Sequence, residues 1–171
     1  MINLQNVICI FRGGPGFYNP VSYLICAMPL LLWAWITWRS TWTRDRMWLA
    51  LAVIAPLTLL PVYHRHYDAK LLMLAVPACA MLWTEGKRIG RMALLVTLAG
   101  LLATADIPWT LFLSYNHVAD NNFHHILVKG FLGLTQRDVL VSLGPLTLLG
   151  MSLFYLCVYW RRTTVQSAHA K

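Results

Sequence analysis

Apolar residues in this chain come in runs of helix length, not in the short alternations of a sheet, and the polar residues gather between them. Five runs stand out. Residues 21–38 carry Pro29 and end at Arg39, Arg44 and Arg46, and residues 47–63 contain Pro56 and Pro61. Residues 71–84 lie between Lys70 and Glu85 and hold Pro77. As an α-helix that uncharged stretch rises only about 21 Å, so it must borrow from its flanks to cross about 30 Å of hydrocarbon. A fourth run, 92–113, is continuous only if Asp106 and Pro108 are admitted to it. The fifth, 139–160, is the cleanest, and Phe154, Tyr155, Tyr159 and Trp160 near its end read as an interfacial belt. The pattern predicts an all-α polytopic bundle of about five transmembrane helices.

Composition agrees with a bilayer as the solvent. The 171 residues are 58% hydrophobic and 12% charged, with eight tryptophans, which departs from an ordinary soluble domain. At about 20 residues per span plus loops, that length allows five or six crossings. The four cysteines have no CxxC spacing and read as small apolar fillers.

Basic residues orient the set. Arg39, Arg44 and Arg46, then Lys87, Arg88 and Arg91, then Arg161, Arg162 and Lys171 occupy alternate connections and the tail, which places those segments inside. Arg12, Arg65, Lys70, Lys129 and Arg137 fall on the opposite side. The expectation is a multi-pass protein of a bacterial cytoplasmic membrane with an outside N-terminus and 161–171 as a cytoplasmic tail. The net charge of +8 is spread over loops and forms no stripe, so nucleic acid is not an expected partner. Residues 1–20 lack a signal peptide's n-region and cleavage site, and Gly13, Gly14, Pro15, Gly16 and Asn19-Pro20 are turn chemistry. They read as an external loop, loosely packed, of the C-terminal part of a longer protein whose N-terminal half would be a partner.

The densest polar cluster is PVYHRHYDAK, residues 61–70, in an outer connection between two short or proline-interrupted runs. Broken spans of this kind place polar groups at a cavity instead of against lipid. With Asp68 as N-cap of the third run, free amides and the helix dipole would lie near His64, Arg65 and His66. Arg65 and Lys70 with a histidine supply the charge and donors that a lipid-borne phosphate needs. The bland alternative is a solvated hairpin in which Lys70 snorkels and Tyr63 and Tyr67 anchor at the interface.

The stretch LLPVYHRHYDAKLLMLAVP, with the opening NLQN and an NP before a span, resembles the C-terminal half of the glycosyltransferase family 87 membrane proteins. The resemblance implies a partial GT-C architecture and a hexosyltransferase taking a mannose-like sugar from a polyprenyl-phosphate donor to a lipid or glycan acceptor on the outer face. In that reaction the cluster His64, Arg65, His66 and Lys70 would bind the donor phosphate, with Tyr67 and Asp68, which match the family's polar Tyr-Asp loop ahead of a helix, in support. The family's catalytic aspartate belongs to a first external loop that nothing here matches, so no catalytic residue is assigned. Neither a metal nor another cofactor is indicated.

Two further polar sites were weighed against plainer roles. Asp106 is read as a cap, with Pro108 opening a short outer-surface helix, PWTLFLSY. His117, Asp120 and His124 would share a helical face, but Asn121 and Asn122 argue against a helix there, and a solvated or acceptor-contacting loop is the better reading. Two other functions compete with the transferase: a non-catalytic membrane subunit or remnant, and a small transporter. The transporter would show charges within spans and a repeated half, which the sequence lacks.

Overall fold

The computed structural model describes residues 4–11, 15–60, 66–86, 88–105 and 136–169. Every regular element among them is helical. In chain order they are α1 (Leu4–Phe11), α2 (Pro15–Arg39), α3 (Arg44–Thr58), a 3-10 helix η1 (His66–Ala75) leading into α4 (Val76–Thr84), α5 (Arg88–Thr104) and α6 (Gln136–His169). The all-α class is as expected, and each apolar run coincides with a helix as far as it is described. Residues 106–135, including the expected surface helix and the His117–Asp120–His124 set, lie outside the described residues.

Two helices are long and apolar enough to cross a membrane unaided, over Gly16–Arg39 and Ser142–Thr164. Both contain proline, as does α3: Pro20 and Pro29 in α2, Pro56 in α3, Pro145 in α6. A proline removes one ladder bond, yet none of these prolines ends its helix. Asn19-Pro20 lies in the early turns of α2 and does not form the turn its composition suggested.

The N-terminal stretch differs from the reading as a loose external loop. Residues 4–11 form α1, which packs on α2 and α6. Leu4 is 2% exposed and its amide donates to the Leu60 carbonyl at 3.4 Å, and Val7 is buried beside it. Eight apolar-rich residues with a buried face at i and i+3 are too short for a span but sufficient for a packed helix. The C-terminal tail is likewise helical, as α6 continues to His169.

The third leg is longer than the sequence announced. Ten residues of it are 3-10 helix, rising about 2.0 Å each, and nine are α, rising about 1.5 Å. Laid end to end they reach roughly 33 Å, against about 28 Å for an α-helix of the same residues. The change of ladder falls at Pro77, within the first two positions of α4, where a missing amide is tolerated; upstream of it an α ladder would lose its i−4 bond. Leu72, Ala75 and Ala78 are buried at spacing three, and Cys79 and Leu82 continue the inner face at α spacing.

The helix α3 is the hub. Leu49, Ala50, Ala52, Val53, Ala55, Pro56 and Leu57 are all buried, against α6, η1, α4 and α2. Hydrogen bonds between helices fasten it: the Trp33 indole N–H of α2 donates to the Ala50 carbonyl at 3.1 Å, and the Ser152 hydroxyl of α6 donates to the Val53 carbonyl at 3.1 Å. Thr97 of α5 and Tyr155 of α6 join their hydroxyls at 2.7 Å in the interior.

The two faces of α5 show the packing logic. Its inner seam is Gly90, Ala93, Thr97, Gly100 and Thr104, every one a small residue. Its outer face carries Met92, Leu95, Leu98 and Leu102, all exposed. On α2 the exposed set is Leu24, Met28, Leu31, Trp35 and Trp38, at alternating spacings of four and three, and on α6 it is Leu143, Leu146, Leu153 and Trp160. Large apolar side chains thus line the outside of α2, α5 and α6, and on α5 the inward seam is made of small residues, whereas α6 buries Leu148, Met151, Tyr155 and Tyr159 as well. Exposed apolar faces of this extent are uncommon on a water-soluble bundle.

Candidate functional site: the two polar ends of the bundle

Two helix connections and the C-terminal part of α6 meet at one end. The chain leaves α2 at Arg39, turns through Ser40–Thr43 and enters α3 at Arg44, with Thr43 as N-cap accepting from the Arg46 amide. Tyr159 of α6 reaches this turn: its hydroxyl is 3.1 Å from Ser40 Oγ and donates to Thr37 Oγ1 at 3.3 Å. One turn further along α6, Arg162 pairs with Glu85 in the α4–α5 connection. That connection is closed by Gly86, whose φ of 64° is the left-handed position that follows a helix C-cap. The connections expected on one side of the membrane are therefore neighbours in space.

Arginine dominates this end. Arg39, Arg44, Arg46, Arg88, Arg91, Arg161 and Arg162 gather there, with Asp45 and Glu85 the acidic side chains described among them. Arg46 is only 7% exposed and donates through one guanidinium nitrogen to the Thr41 carbonyl at 3.0 Å and to Thr41 Oγ1 at 2.9 Å, pinning the turn. Arg39 lies over the Trp35 ring at 4.6 Å.

Tryptophan marks the boundary of the same end. Trp38 is 92% exposed and Trp42 71%, and Trp35, Trp83 and Trp160 are exposed as well. The belt assigned to the end of α6 needs correction. Tyr155 and Tyr159 are fully buried, one helical turn apart on the inner face, where their hydroxyls bond Thr97 and the Thr37–Ser40 pair. Phe154 packs edge-on to Tyr155, with ring centroids 5.3 Å apart. Of that set, Trp160 alone faces out with the other tryptophans.

Of PVYHRHYDAK, residues 66–70 are described and open η1, at the other end from the arginines. Leu59 and Leu60 are buried as the chain leaves α3, and the bond from Leu4 holds Leu60 in place. His64 and Arg65 lie outside the described residues. His66, Tyr67 and Asp68 are the first three residues of η1 and are described by backbone alone; Lys70 is exposed. Asp68 was read as the N-cap of the third run, but it is the third residue of the 3-10 helix, whose ladder starts two residues earlier. The α-helical cap position is Ala75, which makes no side-chain cap bond.

Sequence reading missed the arginine end as a structural unit. The signal was present as a repeated order, Trp38-Arg39, Trp42-Thr43-Arg44 and Trp160-Arg161, an aromatic followed within two residues by a cation. Among the described residues no group of three or more His, Cys, Asp or Glu is placed to hold a metal ion. The chain matches no family model, no curated protein and no solved structure.

Proposed function

We propose that the chain is a five-span protein of a bacterial cytoplasmic membrane, with the arginine end inside, and that its PVYHRHYDAK end engages the phosphate of a polyprenyl-phosphate-linked sugar within a glycosyltransferase. One observation carries the membrane part: large apolar side chains line the outside of α2, α5 and α6, while the α5 seam is Gly, Ala and Thr. In lipid, burying a large apolar side chain gains little, and close approach through small residues holds helices together. The extended third leg, roughly 33 Å by its 3-10 and α rises, supports counting it as a span. The helix α3, at 15 residues and about 22 Å, crosses as the sheathed centre of the bundle, with Leu59 and Leu60 extending its buried length.

The transferase part is supported by the resemblance over residues 60–77 and by the place of that segment at the end away from the arginines. Donor and acceptor would meet there on the outer face, with His64, Arg65, His66 and Lys70 holding the leaving phosphate by charge-assisted bonds. Asp45 and Glu85 belong to the arginine end, so neither serves as a base at the outer face.

The test is binding of a short-chain polyprenyl phosphate by the protein in nanodiscs, followed by native mass spectrometry. Retention of the lipid by wild type and its loss in Arg65→Ala supports a phosphate site in the segment. Equal retention by both proteins refutes it.

A further inference from the structure

The order of residues at the arginine end sets their depth in a membrane. In α2 the exposed stripe ends at Trp38, followed at once by Arg39, and Trp42 stands two residues before Arg44. Trp160 precedes Arg161, and Trp83 of α4 precedes the Gly86 turn that leads to Arg88 and Arg91 of α5. Exposed tryptophan rings settle at the boundary between acyl chains and headgroups. A guanidinium one to a few residues beyond, at about 1.5 Å per helical residue, then lies at the level of the lipid phosphates.

Among the described residues, Asp45 and Glu85 are the acidic side chains that accompany the arginines of this end, and Glu85 is already paired with Arg162. Arg88 and Arg91 occupy the start of α5, where a cation opposes the helix dipole and where no acidic residue stands in the first turn. Such placement is unfavourable for the isolated chain and favourable when an anion sits beside it. Guanidinium groups match phosphate oxygens in pairs, and each basic group near an anionic membrane surface raises local lipid partition about fivefold, the equivalent of about 1 kcal/mol.

Resting on the membrane reading above, we propose that the arginine end binds the headgroups of anionic phospholipids through Arg39 and Arg44 at the α2–α3 connection, Arg88 and Arg91 at the start of α5 and Arg161 of α6. The partner is a lipid and not a free phosphate, because the tryptophans hold these cations at the bilayer interface. The site ties the α2–α3 and α4–α5 connections to the leaflet and fixes the depth of the bundle.

Tryptophan fluorescence reads this directly. The purified protein is reconstituted in phosphatidylcholine vesicles containing either brominated phosphatidylglycerol or brominated phosphatidylcholine at equal mole fraction. Stronger quenching by the anionic quencher is expected, with the preference reduced about fivefold per arginine in Arg44→Gln and Arg91→Gln and weakened by salt. If those variants fail to fold, the salt dependence of the wild-type preference carries the test. Equal quenching by the two lipids overturns the proposal and leaves the membrane reading standing. Loss of the preference on adding inorganic phosphate at constant ionic strength assigns the site to free phosphate and also overturns it. Quenching by neither lipid overturns the membrane reading itself.

Discussion

Gly90 is where the packing of α4 against α5 can be tested with a single methyl group. A Cβ added there would run into the Leu82 carbonyl oxygen and would lie 2.9 Å from the Trp83 Cα and 3.0 Å from the Leu82 carbonyl carbon. All three are backbone atoms of the last turn of α4, so no side-chain rotation relieves the clash. The two helix ends would have to separate, in a hairpin already fixed by the left-handed Gly86. Overpacking costs about 1–3 kcal/mol, and a backbone obstacle belongs at the upper end of that range. Replacing glycine by alanine within a helix returns about 0.5–1 kcal/mol, leaving a net loss of about 2 kcal/mol for Gly90→Ala. Gly150 in α6 is the control, because a Cβ there meets nothing within 4 Å. Gly150→Ala should therefore gain about 0.5–1 kcal/mol. The two variants should differ by roughly 3 kcal/mol in unfolding by SDS titration from mild detergent, followed by exposure of the buried Cys79 thiol to a reactive dye. A Gly90→Ala protein as stable as Gly150→Ala would refute the close approach and the small-residue seam built on it.

Two further outcomes follow from the bonds described and another from the phosphate reading. Tyr155→Phe and Thr97→Val should show a coupling of about 0.6 kcal/mol in a double-mutant cycle on the same unfolding assay, the usual size for a hydroxyl pair between membrane helices; zero coupling would show that the 2.7 Å bond is not formed. Arg46→Ala should cost about 1.5–3 kcal/mol, since a charged donor to Thr41 is lost from a buried turn, and an unchanged midpoint would contradict that role. For the outer segment, Arg65→Ala, and His64→Ala with His66→Ala, should weaken polyprenyl-phosphate binding roughly ten- to a hundredfold with little effect on expression, measured by lipid retention in nanodiscs. Asp68→Asn should be milder than either.

Hydropathy made the helices legible because length and greasiness are what a bilayer requires of a span, and all five runs became helical where described. It was silent on the kind of helix. Residues 66–75 have the same greasy character in a 3-10 or an α ladder, and the evidence for the tighter ladder is a proline at 77 and a spacing of three in Leu72, Ala75 and Ala78. Turn chemistry misled at Asn19-Pro20, because a proline in the early turns costs a helix one ladder bond and the 25-residue α2 continues through it. Tyr155 and Tyr159 misled by type: an aromatic with a hydroxyl suits an interface, yet it also suits an interior that supplies a partner, as Thr97 and Ser40 do. The α5 seam was legible, at positions 90, 93, 97, 100 and 104, to anyone reading for small residues at helical spacing. The phosphate reading of PVYHRHYDAK rests on charge, spacing and resemblance, because His64 and Arg65 lie outside the described residues.

The central claim is that the bundle spans a membrane with its arginine end on the inner side. It is tested most directly by impermeant maleimide labelling of single cysteines at the two ends, in intact cells and in inverted vesicles. Trp42 and Arg88 are exposed in the two connections of the arginine end, and Ala105 is exposed just past α5 at the other. Trp42→Cys and Arg88→Cys should label only in inverted vesicles and Ala105→Cys only in intact cells. Labelling of Trp42→Cys from outside, or of Trp42→Cys and Ala105→Cys from the same side, would contradict it.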